Sequence, residues 1–174
     1  KMIELQEFTP LDFDTFISWI NNEKELFQFA GPIFTFPLTR DQLENYLKMD
    51  DLVPFKVVWK ETNEVIGHCE LNYQKGHHRL SRILIGNKSF RGQKIGEQIV
   101  FKMAEKFFED PKVDHVDLNV FDWNLAAIKC YENARFKINP FYIRTMRVTG
   151  DTWVRLNMDL SRERWNTLKS KFLT

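Results

Sequence analysis

The sequence contains few of the residues that mark several classes of protein. Two cysteines, Cys69 and Cys130, stand among 174 residues and form neither a disulfide framework nor a metal-ligand spacing. Seven glycines and six prolines exclude collagen-like and low-complexity chains. No apolar run approaches the roughly 18 residues of a membrane span, and no signal-peptide pattern is visible. These absences predict a cytoplasmic protein that has neither a bound metal nor a membrane partner.

Net charge is also nearly absent. The 25 lysines and arginines balance 24 aspartates and glutamates to +1, which argues against a protein that binds nucleic acid through bulk positive charge. The charges are nevertheless segregated along the chain. Residues 1–53 contain ten acidic and four basic side chains, whereas residues 75–106 contain eight basic and two acidic ones. The segregation indicates either two solvated faces or two surfaces for ligands of opposite charge.

Apolar residues, in contrast, are plentiful. Hydrophobic residues make up 43% of the chain and aromatic residues 14%, including 16 phenylalanines. This composition is sufficient for one core in which a few large side chains account for much of the burial. The length suits a single domain, which we expect to cover residues 2–174.

The periodicity of these apolar residues predicts alternating strands and helices. A helix is expected to open at Thr9-Pro10, with Leu11 and Phe16 near one face, and others at Thr39, Ile95, Asn124 and Ser161. Strands are expected at 3–7, 55–60, 65–73, 80–85, 113–120, 141–148 and 153–160. Antiparallel hairpins around one parallel β-α-β unit predict an α/β fold with a central mixed, mostly antiparallel sheet of about seven strands and helices on both faces.

Ligands of such sheets prefer the carboxyl ends of the parallel strands, which here follow Ile85 and Val120. The first connection contains Arg91, Gly92 and Gly96 and leads into the strongest predicted helix. Free amides at a helix N-terminus suit a diphosphate, although the spacing matches neither a P-loop nor a dinucleotide fingerprint. The alternative is a glycine-containing helix start without a ligand.

A second motif, which includes the second connection, favours a ligand site over a helix start without a ligand. From Leu118 the chain reads L-N-V-F-D-W-N-L-A-A-I-K-C-Y-E-N-A-R-F. Together with R-G-Q-K-I-G at 91–96, this segment resembles the GNAT superfamily of N-acetyltransferases, which shows [RQ]-x-x-G-x-[GA] and then N-x-x-A followed by Y-x-x-x-G-F. The order of predicted elements resembles that family over about residues 2–160. The arrangement is broadly similar to the enzymes that acetylate ribosomal-protein N-termini or spermidine.

The resemblance implies acetyl-CoA as cosubstrate and assigns it residues. Ile85 and Gly86 would pair through their backbone with the pantetheine arm, Asn124 would contact the same arm, and Tyr131 would protonate the departing thiolate. The loop that would wrap the diphosphate consists of Arg91, Gly92, Gln93, Lys94, Ile95 and Gly96. Two family glycines are replaced in this interpretation, by Lys94 and by Ala134.

The base that must deprotonate the acceptor amine is less well marked. Glu70 shares one face of the third predicted strand with Ile66 and His68 and is the candidate, a solvated carboxylate being the alternative. His77 and His78 lie in a predicted turn and are expected to be exposed. Cys130 is expected to be a packed thiol.

The acceptor is expected to be a cationic amine. In the family the segment between the first two strands lines the acceptor side, and here that segment is acidic and aromatic. The side chains concerned are Glu23, Glu25, Phe27, Phe29, Phe34 and Phe36. The resemblance therefore predicts an acetyl-CoA-dependent N-acetyltransferase that acts on a peptide α-amine, polyamine or amino sugar by direct attack in a ternary complex. A non-catalytic acyl-CoA-binding sensor is the alternative, and the hairpin beyond residue 141 could form a homodimer edge.

Overall fold

The computed structural model describes residues 2–92 and 94–173. These residues form seven strands and six α-helices. The strands are β1 (Ile3–Glu7), β2 (Leu52–Trp59), β3 (Glu64–Asn72), β4 (Arg79–Ile85), β5 (His115–Phe121), β6 (Lys137–Val148) and β7 (Asp151–Ser161). The helices are α1 (Phe13–Ser18), α2 (Glu23–Ala30), α3 (Arg40–Leu47), α4 (Ile95–Phe108), α5 (Leu125–Asn133) and α6 (Arg162–Leu173).

The strands form one sheet in the order β1-β2-β3-β4-β5-β7-β6. Neighbouring strands are antiparallel except β4 and β5, which are parallel and joined through α4. This arrangement confirms the predicted mixed, mostly antiparallel sheet of seven strands. In the parallel pair of β4 and β5, Arg79 lies opposite Asp117 and Leu80 opposite Leu118.

Two apolar clusters cover opposite faces of the sheet. One contains the apolar face of α4, with Ile99 and Met103 fully buried, together with Met158 and Leu160 of β7 and Trp165 of α6. The other lies under α1, α2 and α3 and contains most of the buried phenylalanines of the N-terminal third. Helices on both faces are therefore observed as predicted, because each apolar face of the sheet needs its own cover.

The N-terminal helical region differs from its prediction. A short 3-10 turn at Pro10–Asp12 precedes α1, and Leu11 is 94% exposed, whereas Phe13 is completely buried. A separate helix, α2, follows because the Asn22 side chain accepts a hydrogen bond from the Glu25 amide and starts a new helix. The apolar spacing alone did not predict this break.

The other predicted caps are present. The Thr39 hydroxyl accepts from the Gln42 amide at 3.4 Å, Asn124 accepts from Ala127, and Ser161 accepts from Arg164. No α-helix of the described residues is long and apolar enough to cross a membrane.

Candidate active site

The parallel strands β4 and β5 separate at their carboxyl ends. Their ladder ends after Leu80, although β4 continues to Ile85 and β5 to Phe121. Arg82 interrupts the regular geometry of β4 with a φ of +49°, beside a bulge in the β3–β4 register. The result is a gap between two strand ends, which is where an open sheet of this kind accepts a ligand.

The end of β4 is held against β3 and α1. The amides of Gly86 and Asn87 both donate to the Ile66 carbonyl, at 2.8 and 3.1 Å. Trp19, at the end of α1, lies directly over Gly86, and a Cβ at that position would collide with the indole ring. Glycine is therefore required at residue 86 by the close approach of the helix.

The loop after β4 turns back on the strand that it leaves. The guanidinium of Arg91 donates two hydrogen bonds to the Ile85 carbonyl, at 3.1 and 2.9 Å. Gly92 has a φ of +78°, and no atom lies within 4 Å of the place that a Cβ would take, so its backbone is open to a ligand. Gln93, also assigned to the diphosphate, lies outside the described residues.

Lys94 adopts a left-handed conformation, with φ +60° and ψ 18°. The family motif has glycine at this position, and glycine adopts this conformation without steric cost. The expectation that Ala134 replaces the second family glycine is wrong. Ala134 has an ordinary φ of −86°, whereas Arg135 has a φ of +72°, so the glycine-favouring position lies one residue later, at Arg135.

Helix α4 begins without a side-chain cap from Lys94. The Gln98 amide donates to the Lys94 carbonyl, and the amides of Ile95, Gly96 and Glu97 have no backbone partner among the described residues, as is usual at a helix N-terminus. The Ile95 side chain is buried in the core, so only its backbone can contribute to a ligand site. These donors, the dipole of a 14-residue helix and the neighbouring Arg91 make the loop suitable for a phosphate group.

Helix α5 lies beside the start of α4. A Cβ on Gly96 would stand 3.1 Å from the Cys130 sulfur, which shows how closely the two helices approach and confirms that Cys130 is a packed thiol. Asn124 caps α5 at the end of the β5 connection, with its oxygen accepting from Ala127 at 3.3 Å. The structure thus brings the Arg91–Gly96 loop and the Asn124 helix together at the carboxyl ends of the parallel strands.

Tyr131 lies in the last turn of α5 and packs against the core, with its ring centroid 6.3 Å from that of Phe136. Burial raises the pKa of the Tyr131 hydroxyl, so it is protonated at neutral pH. Among the described residues it has no side-chain hydrogen-bond partner. Such a hydroxyl is able to donate a proton to a bound group.

Glu70 is not the solvated carboxylate that the sequence allowed. Its side chain is fully buried, and it accepts hydrogen bonds from the Tyr46 hydroxyl at 2.5 Å and from Arg82 at 2.6 Å. Burial raises the pKa of Glu70, partly offset by the Arg82 guanidinium and the two hydrogen bonds. Arg82 is the residue of unusual φ in β4. Its ion pair with the Glu70 carboxylate therefore anchors the irregular segment of β4 beside the gap.

His68 lies in the same buried group. Its Nδ1 contacts the Arg82 carbonyl at 2.8 Å, and the rings of Phe8, Phe16 and Phe29 surround it. Desolvation lowers the pKa of His68 to about 4, which makes it neutral at physiological pH. His78 is partly buried between the rings of Tyr73 and Phe107, which differs from the exposed position expected for it.

The acidic and aromatic stretch of the N-terminal region divides into two groups. Phe29 and Phe34 pack into the core under the helices, so they do not form an acceptor surface. Phe27 turns instead toward Trp153 and Phe121, at 6.1 and 6.2 Å between ring centroids. Trp123 and Trp153 were not predicted here, although Trp123 stands beside Asn124 in the family-like motif.

Comparison with known proteins agrees with this geometry. Residues 3–137 match the model of the acetyltransferase (GNAT) domain family. An aminoglycoside N(6')-acetyltransferase type 1 of Klebsiella pneumoniae is 37% identical over 54 residues, which are 31% of this chain and 27% of that protein. The kanamycin resistance protein of Rhizobium radiobacter is 36% identical over 53 residues, 30% of this chain and 49% of that protein. The matches thus span less than half the length of these curated relatives.

Solved structures share the fold over nearly the whole chain. A spermidine N-acetyltransferase of Vibrio cholerae in complex with CoA and spermine has a TM-score of 0.76 at 17% identity, covering 95% of this chain and 98% of its own. An aminoglycoside acetyltransferase in complex with coenzyme A and kanamycin has a TM-score of 0.69 at 22% identity, with 95% and 98% covered. The family model matches most of this chain, and the solved structures of acetyltransferases share its fold. The chain therefore belongs to the GNAT acetyltransferase family.

Proposed function

We propose that this protein is an acetyl-CoA-dependent N-acetyltransferase that transfers an acetyl group to a primary amine by direct attack in a ternary complex. The observation that carries the proposal is the gap between β4 and β5, which opens beside the uncapped N-terminus of α4. Residues 2–174 would form one N-acetyltransferase domain. The single sheet supports this assignment, because β7 pairs with β5, and β6 with β7, beyond the matched family segment.

The residues present fit coenzyme A. Amides of residues 95–97, the open backbone at Gly92 and the Arg91 guanidinium would hold the diphosphate. The backbone at Ile85 and Gly86 and the Asn124 side chain would hold the pantetheine arm. The basic stretch 75–106 surrounds this loop and favours an anionic cosubstrate. When bound, the cosubstrate supplies an activated acetyl thioester.

The remaining chemistry falls to the chain. An alkylamine has a pKa of about 10 and must lose a proton before it attacks. Backbone amides at the splayed end of β4 are suited to stabilise the oxyanion that then develops. Tyr131, whose raised pKa keeps its hydroxyl protonated until the thiolate departs, would donate that proton to the leaving sulfur.

Glu70 remains a predicted participant, and the structure favours a positioning role. Both of its oxygens are engaged, by Tyr46 and by Arg82. We infer that Glu70 fixes Arg82, and through it the irregular segment of β4 beside the gap. Deprotonation of the amine would then proceed through water rather than directly to this buried carboxylate.

Thermal unfolding with and without a large excess of acetyl-CoA tests the proposal. A ligand at about 100 times its Kd stabilises by about 2.7 kcal/mol, which for a chain of this size raises Tm by roughly 5–10 °C. Glu97 lies in the same helix turn as the proposed donors, and Glu163 of α6 offers a matched exposed carboxylate. We expect Glu97→Gln to preserve or increase the shift, because it removes a negative charge near the phosphates, and Glu163→Gln to leave it unchanged.

No shift at millimolar acetyl-CoA would contradict the proposal. A shift without thiol release from any amine would favour the alternative of a non-catalytic acyl-CoA-binding sensor. The cytoplasmic location inferred from the cysteine content stays a prediction, which cell fractionation tests.

A further inference from the structure

A surface cavity of about 430 Å³ lies between α2, the β5–α5 connection and β7. Its lining combines two tryptophans with the polar N-terminal half of α2. The residues that line it are Asn22, Glu23, Lys24, Glu25, Gln28, Trp123 and Trp153. We call it the tryptophan cavity. None of these side chains belongs to the loop proposed above for the diphosphate.

The aromatic wall of the tryptophan cavity is built from a packed cluster. The Trp123 and Trp153 ring centroids are 5.1 Å apart at an angle of 70°, and Phe121 contacts both rings. Phe27 of α2 completes the cluster from the opposite side. Trp123 is nevertheless 44% exposed, so an indole surface is available to a ligand. Indole faces attract cations and also pack against alkyl chains and sugar rings.

The polar wall is acidic. Glu23 is exposed and forms no hydrogen bond or ion pair with the described residues. Glu25 is held in place by the side-chain amides of Asn21 and Asn22, both at 3.2 Å. The one lysine of the lining, Lys24, is paired with Asp151 at 2.6 Å, so its charge is compensated. The lining therefore has a net negative charge next to an aromatic wall.

The position of the tryptophan cavity relates it to the proposed site. Phe121 ends β5, and Trp123 immediately precedes Asn124, the cap of α5. Helix α2 also packs against β4, in the apolar cluster opposite that of α4, so the helix that forms one wall of the cavity also lies against the strand that borders the gap. A ligand with one end in the tryptophan cavity could present its other end to that gap.

We propose that the tryptophan cavity binds a second ammonium group of a polycationic acceptor, and that the preferred substrates therefore carry at least two amines. This inference rests on the proposed function, whose acceptor it narrows to one class. The indole face of Trp123 packs against the acceptor body, and Glu23 and Glu25 attract its distal ammonium group. Linear polyamines and amino sugars share this chemistry, and the cavity admits either.

Isothermal titration in the absence of acetyl-CoA tests the cavity directly, with spermine, kanamycin and the monoamine propylamine as probes. We expect spermine or kanamycin, or both, to bind at least tenfold more tightly than propylamine. Binding of spermine alone identifies a linear acceptor, and binding of kanamycin alone an amino sugar. Equal affinity for all three amines, or no binding of either polycation, would overturn the inference.

Two variants locate the binding. Glu23→Gln combined with Glu25→Gln should weaken polycation binding by about three- to tenfold, and Trp123→Ala by about two- to fivefold. Glu163→Gln and Leu125→Ala are the matched controls, because Glu163 lies on α6 and Leu125 is an exposed neighbour of Trp123. The controls should bind as the wild type does. Unchanged affinity in both cavity variants would show that the polycation binds elsewhere.

The same variants separate the failure of this inference from the failure of the proposed function. If the enzyme acetylates amines but the cavity variants keep the wild-type KM for spermine and kanamycin, the cavity is not the acceptor site. If polycations bind as expected but no acetyl-CoA is consumed, the transferase proposal is wrong. Acetyl-CoA should stabilise the two cavity variants, the two control variants and the wild type to the same extent.

Discussion

Tyr131 is the residue on which the proposed chemistry depends most. We expect Tyr131→Phe to lower kcat by about 100-fold or more, because the thiolate would leave without its proton donor. Acetyl-CoA should stabilise the variant as it does the wild type, since the ring and its packing are retained. Thiol release under saturating substrate measures the change. A kcat within twofold of the wild type would remove Tyr131 from the mechanism.

His68 provides a test of the buried polar group. Its folded-state pKa of about 4 lies below the ordinary value of 6.5, so the unfolded chain takes up the proton first as the pH falls. The stability that neutral His68 contributes is present above pH 6.5 and is lost as the pH falls toward 4, by about 3 kcal/mol at most. The groups around it include Tyr46 and Arg82, with the Asp12 carboxylate nearby.

The imidazole resonances of His68 measure this pKa directly in an NMR titration. We expect them to stay at the neutral position down to pH 5 and to move near pH 4, or to disappear as the protein unfolds. A His68 midpoint near 6.5 would show that the ring is solvated and that the aromatic enclosure is wrong.

Among the elements, the contact between α1 and β4 offers the sharpest test of packing. A methyl group at residue 86 would collide with the indole of Trp19. We expect Gly86→Ala to destabilise the protein by about 1–3 kcal/mol, because a tightly packed contact must open. The double variant with Trp19→Leu should lose about 1 kcal/mol or more less free energy of unfolding than the sum of the two single losses. Urea unfolding of the two single variants and the double variant measures this coupling, and strictly additive effects would contradict the contact.

At the same scale, capping signals predicted the elements better than apolar spacing did. Thr39, Asn124 and Ser161 each begin a helix as expected, because a side-chain cap is a local interaction within three residues. Helix α2 was missed, although Asn22 is also a cap, because the expectation for this region rested on the apolar spacing of Leu11 and Phe16. The long β6 was predicted to start late because Asn139 and Pro140 in its first part are unusual in strands.

In the candidate site, too, local features were predicted and contacts between distant residues were not. The loop at Arg91–Gly96 and the Asn124 cap were predicted, since their motifs are local in sequence. The ion pair between Glu70 and Arg82 and the approach of Trp153 to Trp123 join residues 12 and 30 positions apart. Such contacts depend on sheet register, which the local pattern of a single strand does not determine.

For the whole molecule, the sheet ends in an exposed edge at β6. Phe141 is 89% exposed and Tyr142 64%, beside a register shift in the β6–β7 ladder. Exposed apolar edge strands usually need protection, so the homodimer expected from the sequence stays a prediction. Sedimentation equilibrium of the wild type and of Phe141→Lys should show a dimer that the substitution weakens. A wild-type monomer at micromolar concentration would contradict it.

The fold also separates the two proposed ligand surfaces. The basic loop region lies at the start of α4, whereas the acidic tryptophan cavity borders α2. Of the segregated charges, Glu23 and Glu25 line the tryptophan cavity, and Arg91 lies in the loop before α4. Separate surfaces of opposite charge would suit a reaction that joins an anionic cosubstrate to a cationic acceptor.

The central claim is tested most directly by incubating the protein with acetyl-CoA and a primary amine and following both products. The account predicts that free thiol and acetylated amine form in equal amounts, that neither forms without the amine, and that Tyr131→Phe abolishes most of the turnover. Mass spectrometry of the amine and a thiol assay give the two quantities. Acetyl-CoA that stays intact with spermine, kanamycin and a peptide α-amine, at saturating concentrations of each, would contradict the assignment as an N-acetyltransferase.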